Sequence, residues 1–454
     1  MATRILLIGK SGRLDCLADA LFRSPREKQI YIISEVDNPG LSAKAVVRVG
    51  QSDNPAEVIA FAQEVKPHFA VIGPEEPLAA GIVDYLAKIG IPSVGPRQAL
   101  ARLESSKAFT RELLAVHSIA GNPEHRVFRS LDGLETYLRR LGEFVIKPDG
   151  LTGGKGVQVF GDHFNSVTQG IEICRDLLAS GSTAVVIEEK LDGEEFSLQS
   201  LFDGEHILHT MPIQDHKRAN EDDTGPNTGG MGSYSFADHS LPFLTPDIIR
   251  EAEAINLQVG QAMLKETGQP YKGVLYGGFM VTREGLRVIE YNARFGDPEV
   301  MNALALLEGD FIEICEAIIN GTLDQVDVSF RHQATVCKYI VPRAYPGKSS
   351  AHTDINVTAV TKLPGYGDTL RMYYAAVKTK GDALYLTGSR AMAVVGIGDD
   401  LAQAEAIAEH AAQAITGRVR HRKDIGTAAL LQKRLDHMAQ IAANAEAAPL
   451  RRAL

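Results

Sequence analysis

The sequence predicts a mixed α/β and α+β chain. A doubly wound parallel sheet comes first, antiparallel strand units follow, and a domain of mixed strands and helix closes the chain. Three observations carry this. Residues 1 to about 100 alternate short apolar strands with helical segments. After about Leu103 the alternation gives way to strand–turn–strand units with glycine-rich connections. From about His332 strands return with one Ala-rich helix. A length of 454 residues fits about two to four domains. The predicted divisions are 1–103, 104–331 with a mobile subdomain at about 121–190, 332–430, and a helix with its tail over 431–454.

The first strands are Ile5–Ile8, Ile30–Ser34, Phe69–Ile72 and Ser93–Val94, each closing near Gly, Pro or Asn. Ligands of such sheets bind beyond the carboxyl ends of the strands, where Gly9–Gly12 and Gly73-Pro-Glu-Glu-Pro-Leu78 lie. A helix from about Ser106 to His117 follows. Phe144–Lys147 and Val157–Phe160 read as an antiparallel hairpin with a mobile glycine-rich tip. Val185–Glu189, Phe196–Phe202 and His206–Met211 read as strands, the last two joined at Asp203-Gly204. Gln214 to Tyr234 shows no periodicity and is expected to be a long loop, functional or disordered. A helix at Pro246–Thr267, strands at Leu275–Val281 and Leu286–Tyr291, and one helix from about Pro298 to Asn320 complete the central region. Helices at Leu401–Thr416 and Ala428–Ala443 follow. The second carries Leu430, Leu431, Leu435, Met438 and Ile441 on one face, and the last residues are expected to fray.

Hydrophobic residues at 44% and charged residues at 23% make an ordinary globular composition. A net charge of −10 argues against a broad nucleic-acid or anionic-membrane surface but leaves room for a local basic pocket. Cys16, Cys174, Cys315 and Cys337 never form CxxC and read as buried thiols in a reducing cytosol. The N-terminal apolar run is too short for a signal peptide, and no stretch is long enough to span a bilayer. A cytoplasmic protein is expected, and monomer and dimer both stay open.

The densest motif is Glu290-Tyr-Asn-Ala-Arg-Phe-Gly-Asp-Pro-Glu299. Strand alternation puts Glu290 and Asn292 on one face and Ile289 and Tyr291 on the other. A carboxylate and an amide oxygen side by side suit Mg²⁺, which keeps waters and phosphate oxygens as further ligands. Arg294 in the following turn has the geometry to clamp a phosphoryl or carboxylate group. Glu-x-Asn alone would better suit a solvated strand end with a surface ion pair, and the density of polar groups over the ten residues turns the reading to function. Lys147-Pro-Asp-Gly-Leu-Thr-Gly-Gly-Lys-Gly156 has the make-up of a loop whose N–H groups cradle phosphate. It lacks the spacing of a Walker A loop, and an ordinary hairpin tip has the same composition. Glu188-Glu-Lys-Leu-Asp-Gly-Glu-Glu195 follows an apolar strand, as an adenine-reading connector or a solvated acidic loop would. His216, Lys217 and Arg218 form a local basic cluster ahead of the glycine-dense 223–232 run and point to a bound anion. Lys107 lies at the positive end of a helix that Ser105 or Ser106 caps.

In this order the motifs resemble the ATP-grasp superfamily, and within it the phosphoribosylamine–glycine ligase family. The resemblance rests on GPEEPLAAGIVDYL (73–86), FVIKPDGLTGGKGVQV (144–159), VVIEEKLDGEEFSL (185–198), QDHKRANEDDTGPNTGGMGSYS (214–235), RVIEYNARFGDPE (287–299) and HRKDIGTAAL (421–430). It implies a pre-ATP-grasp sheet, an ATP-grasp domain and a C-terminal domain. It implies ATP held by Lys107, Lys147, Gly153, Gly154, Lys155, Glu188, Glu189, Leu191 and Glu195. Glu290 and Asn292 would ligate Mg²⁺ or Mn²⁺. A further metal ligand found on the preceding strand in many such enzymes has no counterpart in Tyr276-Gly-Gly-Phe279.

Arg294, Lys147 and Asp297 would be catalytic. Gly12, Arg13, Gly73, Pro74, Glu75, Asp215, His216, Lys217, Arg218, Asn227, Thr228, Gly229, Gly230, Met231, Arg294 and Asp297 would contact substrates, with Asp215 and Asp297 as candidates for the glycine ammonium. The implied substrates are glycine and 5-phosphoribosylamine, with no nucleic-acid or membrane partner. The chain departs from the family where Gly-x-Gly-Gly-Arg-Glu-His is usual, reading Gly9-Lys-Ser-Gly12-Arg13-Leu14-Asp15, and where Pro-Gly-Asn-Ala-Gly is usual, reading Pro39-Gly40-Leu41-Ser42-Ala43. That departure keeps a second expectation open, a related ligase with a different amine acceptor.

Overall fold

The computed structural model describes residues 2–153, 156–347, 354–381 and 383–447. Five parallel strands form the N-terminal sheet in the spatial order Val46–Val49, Lys28–Ser34, Thr3–Ile8, Phe69–Ile72, Ser93–Val94. Its central strands are apolar on both faces because helices cover both. Ile5 and Leu7 pack with Leu14 and Leu17 of helix Ser11–Phe22, while Leu6 and Ile8 pack with Val58, Phe61 and Ile82 of the opposite layer. The strand order switches direction between Thr3–Ile8 and Phe69–Ile72. The crevice of the sheet therefore opens at Gly9 and Gly73.

Two antiparallel sheets follow. One has the order His125–Phe128, Val185–Glu189, Phe144–Pro148, Gln158–Val159. Helices Leu134–Leu141 and Val167–Ala179 cover it over a separate core that includes Leu138, Phe144, Phe164 and Cys174. The other has the order Ile207–His209, Gly193–Phe202, Gly273–Thr282, Gly285–Asn292. Helix Pro246–Thr267 backs it through Ile255, Val259 and Met263. On the same helix, buried Asn256 donates to Leu198 O at 3.1 Å and accepts from the Tyr291 hydroxyl at 3.0 Å.

The structure corrects two expectations here. The stretch from Gln214 to Tyr234 is not a long loop. Gln214–Asp215 and Gly232–Ser235 form the edge of the C-terminal sheet, which continues through Ala334–Pro342, Met392–Gly398 and Leu370–Tyr374. Between them Arg218–Asn220 pairs with Thr224–Asn227 in a short hairpin. Strands this short show no alternation, and the pairing partner of Ser233 is Cys337, far along the chain. A Cβ on Gly232 would come within 2.3 Å of Cys337 O, so this close pairing needs glycine. The second correction concerns the helix expected from Pro298 to Asn320. Helix Glu299–Leu306 ends in Leu307–Glu308, which pairs with Ser329–Phe330. Gly309 turns the chain at φ +104°, and Asp310 caps a new helix, Phe311–Asn320, by accepting from Ile312 N at 3.0 Å.

Helix Leu401–Ala414 lies on the C-terminal sheet, so close that a Cβ on Gly396 would meet Ala404 O at 2.1 Å. The last helix, Ala428–Ala447, returns to the central region. There Leu430 and Ile441 are buried, Leu431, Leu435 and Met438 rest on the main core, and His437 bonds Glu194 at 2.7 Å. The chain end expected to fray lies outside the described residues. All four cysteines are buried and unpaired. Among the described residues no helix is long and apolar enough to cross a membrane.

Candidate active site

The N-terminal crevice, both antiparallel sheets and the C-terminal domain meet at a cleft of about 250 Å³. Arg13, Glu75, Lys107, Lys147, Gly153, Glu188, Asp215, Lys217, Thr228, Gly229, Glu290, Asn292, Arg294 and Asp297 line it.

One end is built around a buried ion network. Lys147 closes its strand with Nζ 2.8 Å from Glu188 Oε2 and donates to Ile289 O at 3.0 Å. Arg111 grips Glu188 with two bonds of 2.7 and 2.8 Å and donates to Val288 O at 2.9 Å and Ile289 O at 2.7 Å. Burial pushes the Glu188 carboxyl up, but Arg111 and Lys147 outweigh it and hold it down to about 2. Burial pulls the Lys147 ammonium below its ordinary value, against the attraction of Glu188. Both side-chain oxygens of Glu188 are thus engaged by Arg111 and Lys147 where the residue lines the cleft. The Glu189 side chain itself accepts from Glu124 N at 2.8 Å. Lys107 begins helix Lys107–Val116, which Ser106 caps through Phe109 N at 3.1 Å. Asp149 accepts from Ser106 Oγ and from Ala108 N at 3.0 and 3.1 Å, and Lys107 donates to Gly150 O at 2.8 Å. These bonds fasten the glycine-rich turn to the helix start. Gly154 and Lys155 lie outside the described residues.

Glu290 stands across the ladder from Gly278, and Asn292 from Tyr276. A bulge follows, because Phe279 pairs with Val288 and leaves Ile289 over. Strand alternation placed Ile289 on the face away from Glu290. The bulge instead brings it to the cleft wall beside Glu290 and aims its carbonyl at Lys147 and Arg111. Asn292 Nδ2 donates to Glu290 Oε1 at 3.4 Å, and among the described residues Glu290 has no ion-pair partner. Three lysines, Lys217 foremost, keep its carboxyl below the ordinary range despite burial. An ionised, weakly partnered carboxylate beside an amide oxygen fits a hard divalent cation that takes its other ligands from phosphate and water. Among the described residues no cluster of three or more His, Cys, Asp or Glu forms a self-sufficient metal cage.

At the other end Arg294 is held on two sides. Its Nε lies 3.0 Å from Glu75 and its Nη2 2.7 Å from Glu104, and Arg13 Nη1 reaches the same Glu75 oxygen at 3.3 Å. Asp297 accepts from the Tyr339 hydroxyl at 2.6 Å and pairs with Arg390 at 3.3 Å. Burial raises its pKa, but Arg390 and then Arg13 bring it below the ordinary value. Asp215 is pushed up to about 7 by burial against the pull of Lys217. Lys217 pairs with Glu195 at 3.0 Å.

Three families of phosphoribosylglycinamide synthetase domains match in series: the N domain over residues 3–104, the ATP-grasp (A) domain over 105–300 and the C domain over 335–428. The chain belongs to the phosphoribosylglycinamide synthetase family. Curated relatives of this family named phosphoribosylamine–glycine ligase include that of Methanocella arvoryzae, 44% identical over 96% of this chain and 99% of the relative. That of Methanosarcina barkeri is 43% identical over the same shares. The fold is shared with a phosphoribosylamine–glycine ligase structure from Thermotoga maritima at a TM-score of 0.77, with 24% identity over 93% of this chain and all of that one. It is also shared with biotin carboxylase from Campylobacter jejuni at 0.71, with 15% identity over 97% and 95% of the two chains.

Several residues singled out from the sequence point elsewhere in the structure. His216 is buried against Tyr234 and bonds Asp223, while Arg218 pairs with Asp162 and donates to Gly225 O at 3.0 Å. Of the expected basic cluster only Lys217 enters the cleft; it lies between strands Gln214–Asp215 and Arg218–Asn220, and its neighbours are held by Asp223 and Asp162. Met231 is fully buried, and Gly12 is wedged so tightly that a Cβ would meet Tyr339 Oη at 2.4 Å. Gly73 offers its carbonyl to Arg13 at 3.1 Å, and Pro74 packs on Gly9. Gly230 gives its carbonyl to Arg390 at 3.1 Å, and Asn227 pairs with Arg218 in the short hairpin. Reasoning from sequence missed Glu104, Arg111, Tyr276, Glu299 and Arg390, all on the cleft wall. Glu104 and Arg111 sit in amphipathic helices and Arg390 follows Gly388-Ser389 in a turn, all outside the dense motifs.

Proposed function

We infer that the chain is an ADP-forming carbon–nitrogen ligase that joins glycine to 5-phosphoribosylamine, a step of purine biosynthesis. The match of all three domains in order carries this reading, supported by relatives of that name at 42–45% identity over nearly the whole chain. The cleft supplies what such a reaction needs. Lys107 and Lys147 would face the triphosphate, and Glu290 and Asn292 would hold Mg²⁺ or Mn²⁺, which would supply charge neutralisation on the phosphates. The glycine carboxylate attacks the γ-phosphoryl group to give glycyl phosphate and ADP, and the amine then displaces phosphate. Phosphoryl transfer of this kind asks for positioning and charge neutralisation above all. Arg294 is preset for this by Glu75 and Glu104. Asp297 and Asp215 are the carboxylates for the glycine ammonium.

The different amine acceptor is not favoured. Its motive is Leu14-Asp15 and Leu41, yet none of these side chains lines the cleft, and Leu41 is buried in the main core. Leu14 is buried against Gly9 and Gly73, and Asp15 is fully buried between Lys44 Nζ and Tyr374 N, each at 2.7 Å. The departure stitches the N-terminal domain to the C-terminal one. The buried free thiols support a reducing, cytoplasmic setting. The test is ADP release with ATP, glycine and freshly generated phosphoribosylamine across a Mg²⁺ titration. Release that requires all three substrates is expected, and none at any Mg²⁺ concentration would end this assignment.

A further inference from the structure

Arg390 stands in the turn between Ala383–Leu386 and Met392–Gly398, in the C-terminal domain, yet its side chain reaches the cleft. Its backbone is fixed from both sides, since Arg390 O accepts from Ala376 N and Ala391 N donates to Ile340 O, at 2.9 and 2.8 Å. The guanidinium lies over the Tyr339 ring, 4.3 Å from its centroid. Nη1 donates to Gly229 O at 2.6 Å, Gly230 O at 3.1 Å and Asp297 O at 3.0 Å, while Nη2 lies 3.3 Å from Asp297 Oδ1. Tyr339 donates to that same Oδ1 at 2.6 Å. One cation thus ties together two segments that approach from different sheets, the Gly229–Gly230 peptide and the Asp297 turn. Its fork of donors is engaged by protein acceptors rather than left open for an anion.

We propose that Arg390 is a positioning residue for the glycine-binding half of the cleft, fixing the Asp297 carboxylate and the Gly229–Gly230 peptide in one arrangement. The inference rests on the reading of Asp297 as a contact for the glycine ammonium. A lysine at this position keeps the charge but lacks the second arm, Nη2, that reaches Asp297 Oδ1 while Nη1 holds the three carbonyls. The C-terminal domain therefore completes the cleft rather than merely flanking it.

Steady-state kinetics on the full-length enzyme test this with Arg390→Met, Arg390→Lys, Asp297→Asn and the Arg390→Met/Asp297→Asn pair. Arg390→Met is expected to raise KM for glycine about tenfold while KM for ATP stays within about twofold, with Arg390→Lys in between. In the Asp297→Asn background the same change should add only about twofold, because its main target is gone. A rise shared equally by glycine, ATP and phosphoribosylamine overturns the proposal, as does a full tenfold effect that persists without the Asp297 carboxylate. An unchanged glycine KM in Asp297→Asn overturns the reading of Asp297 beneath it. A raised KM in Asp297→Asn with none in Arg390→Met overturns the positioning role alone. Should Arg390→Met fail to fold, Arg390→Gln, which retains an amide donor, carries the same comparison.

Discussion

Replacing Arg111 by Met removes the cation beneath the nucleotide end of the cleft. Arg111 is 2% exposed and makes two bonds to Glu188, one to Val288 O and one to Ile289 O. Its loss leaves Glu188 buried with Lys147 as its single ion-pair partner among the described residues. Ile289 O keeps Lys147 as a donor, whereas Val288 O loses its Arg111 bond. Breaking a buried pair from one side costs about 3–5 kcal/mol. The stranded carbonyl adds about 1 kcal/mol, and the buried Met methylenes return about 1–2 kcal/mol. The net loss is about 2–5 kcal/mol. Urea unfolding of the full chain, with ATP absent, measures it as a fall in midpoint at constant slope. KM for ATP should rise as well, because Lys147 loses the neighbour that fixes Glu188. A second substitution, Glu188→Met, should not restore the parent's stability, since it removes the carboxylate but leaves the buried Lys147 ammonium without its ion-pair partner. A single variant within about 1 kcal/mol of the parent would refute the reasoning, because a broken buried pair cannot be that cheap.

Glu188 also sets a pH dependence. Its folded pKa of about 2 lies below the ordinary 4.5, so its contribution is present above pH 4.5 and is lost as pH falls through about 2. Acid unfolding followed by fluorescence should show that loss in the parent and lack it in Glu188→Gln. Glu290→Gln should lower turnover at least about 10²-fold by removing a metal ligand while leaving the melting temperature in place. Undiminished ADP release across a Mg²⁺ titration would remove the metal assignment. Asp15→Ala strands the Lys44 ammonium and Tyr374 N and should cost about 2–3 kcal/mol in urea unfolding. KM for phosphoribosylamine should not move, and a shift would bring Asp15 back into the acceptor pocket.

Much of the fold and part of the site could be read from local order in the chain. Strands and helices with strong periodicity, such as Phe69–Ile72 and Pro246–Thr267, fall at the residues their patterns predict. The dense motifs around Lys147, Lys217 and Glu290–Asp297 point to residues that converge on one cleft. These are properties of neighbouring residues, and a sequence carries them directly. What tertiary structure alone decided depends on partners far apart in the chain. Gln214–Tyr234 became strands because Ser233 meets Cys337. Ile289 reached the cleft because a bulge moved it off the regular alternation. Glu188 was joined to Arg111 and Lys147, 77 and 41 positions away in the chain, in one buried ion network. Arg390 was delivered to Asp297 by a different domain. The charge of each such residue is written in the sequence, but a charge is neutralised only by what lies within a few ångströms of it, and folding sets those distances.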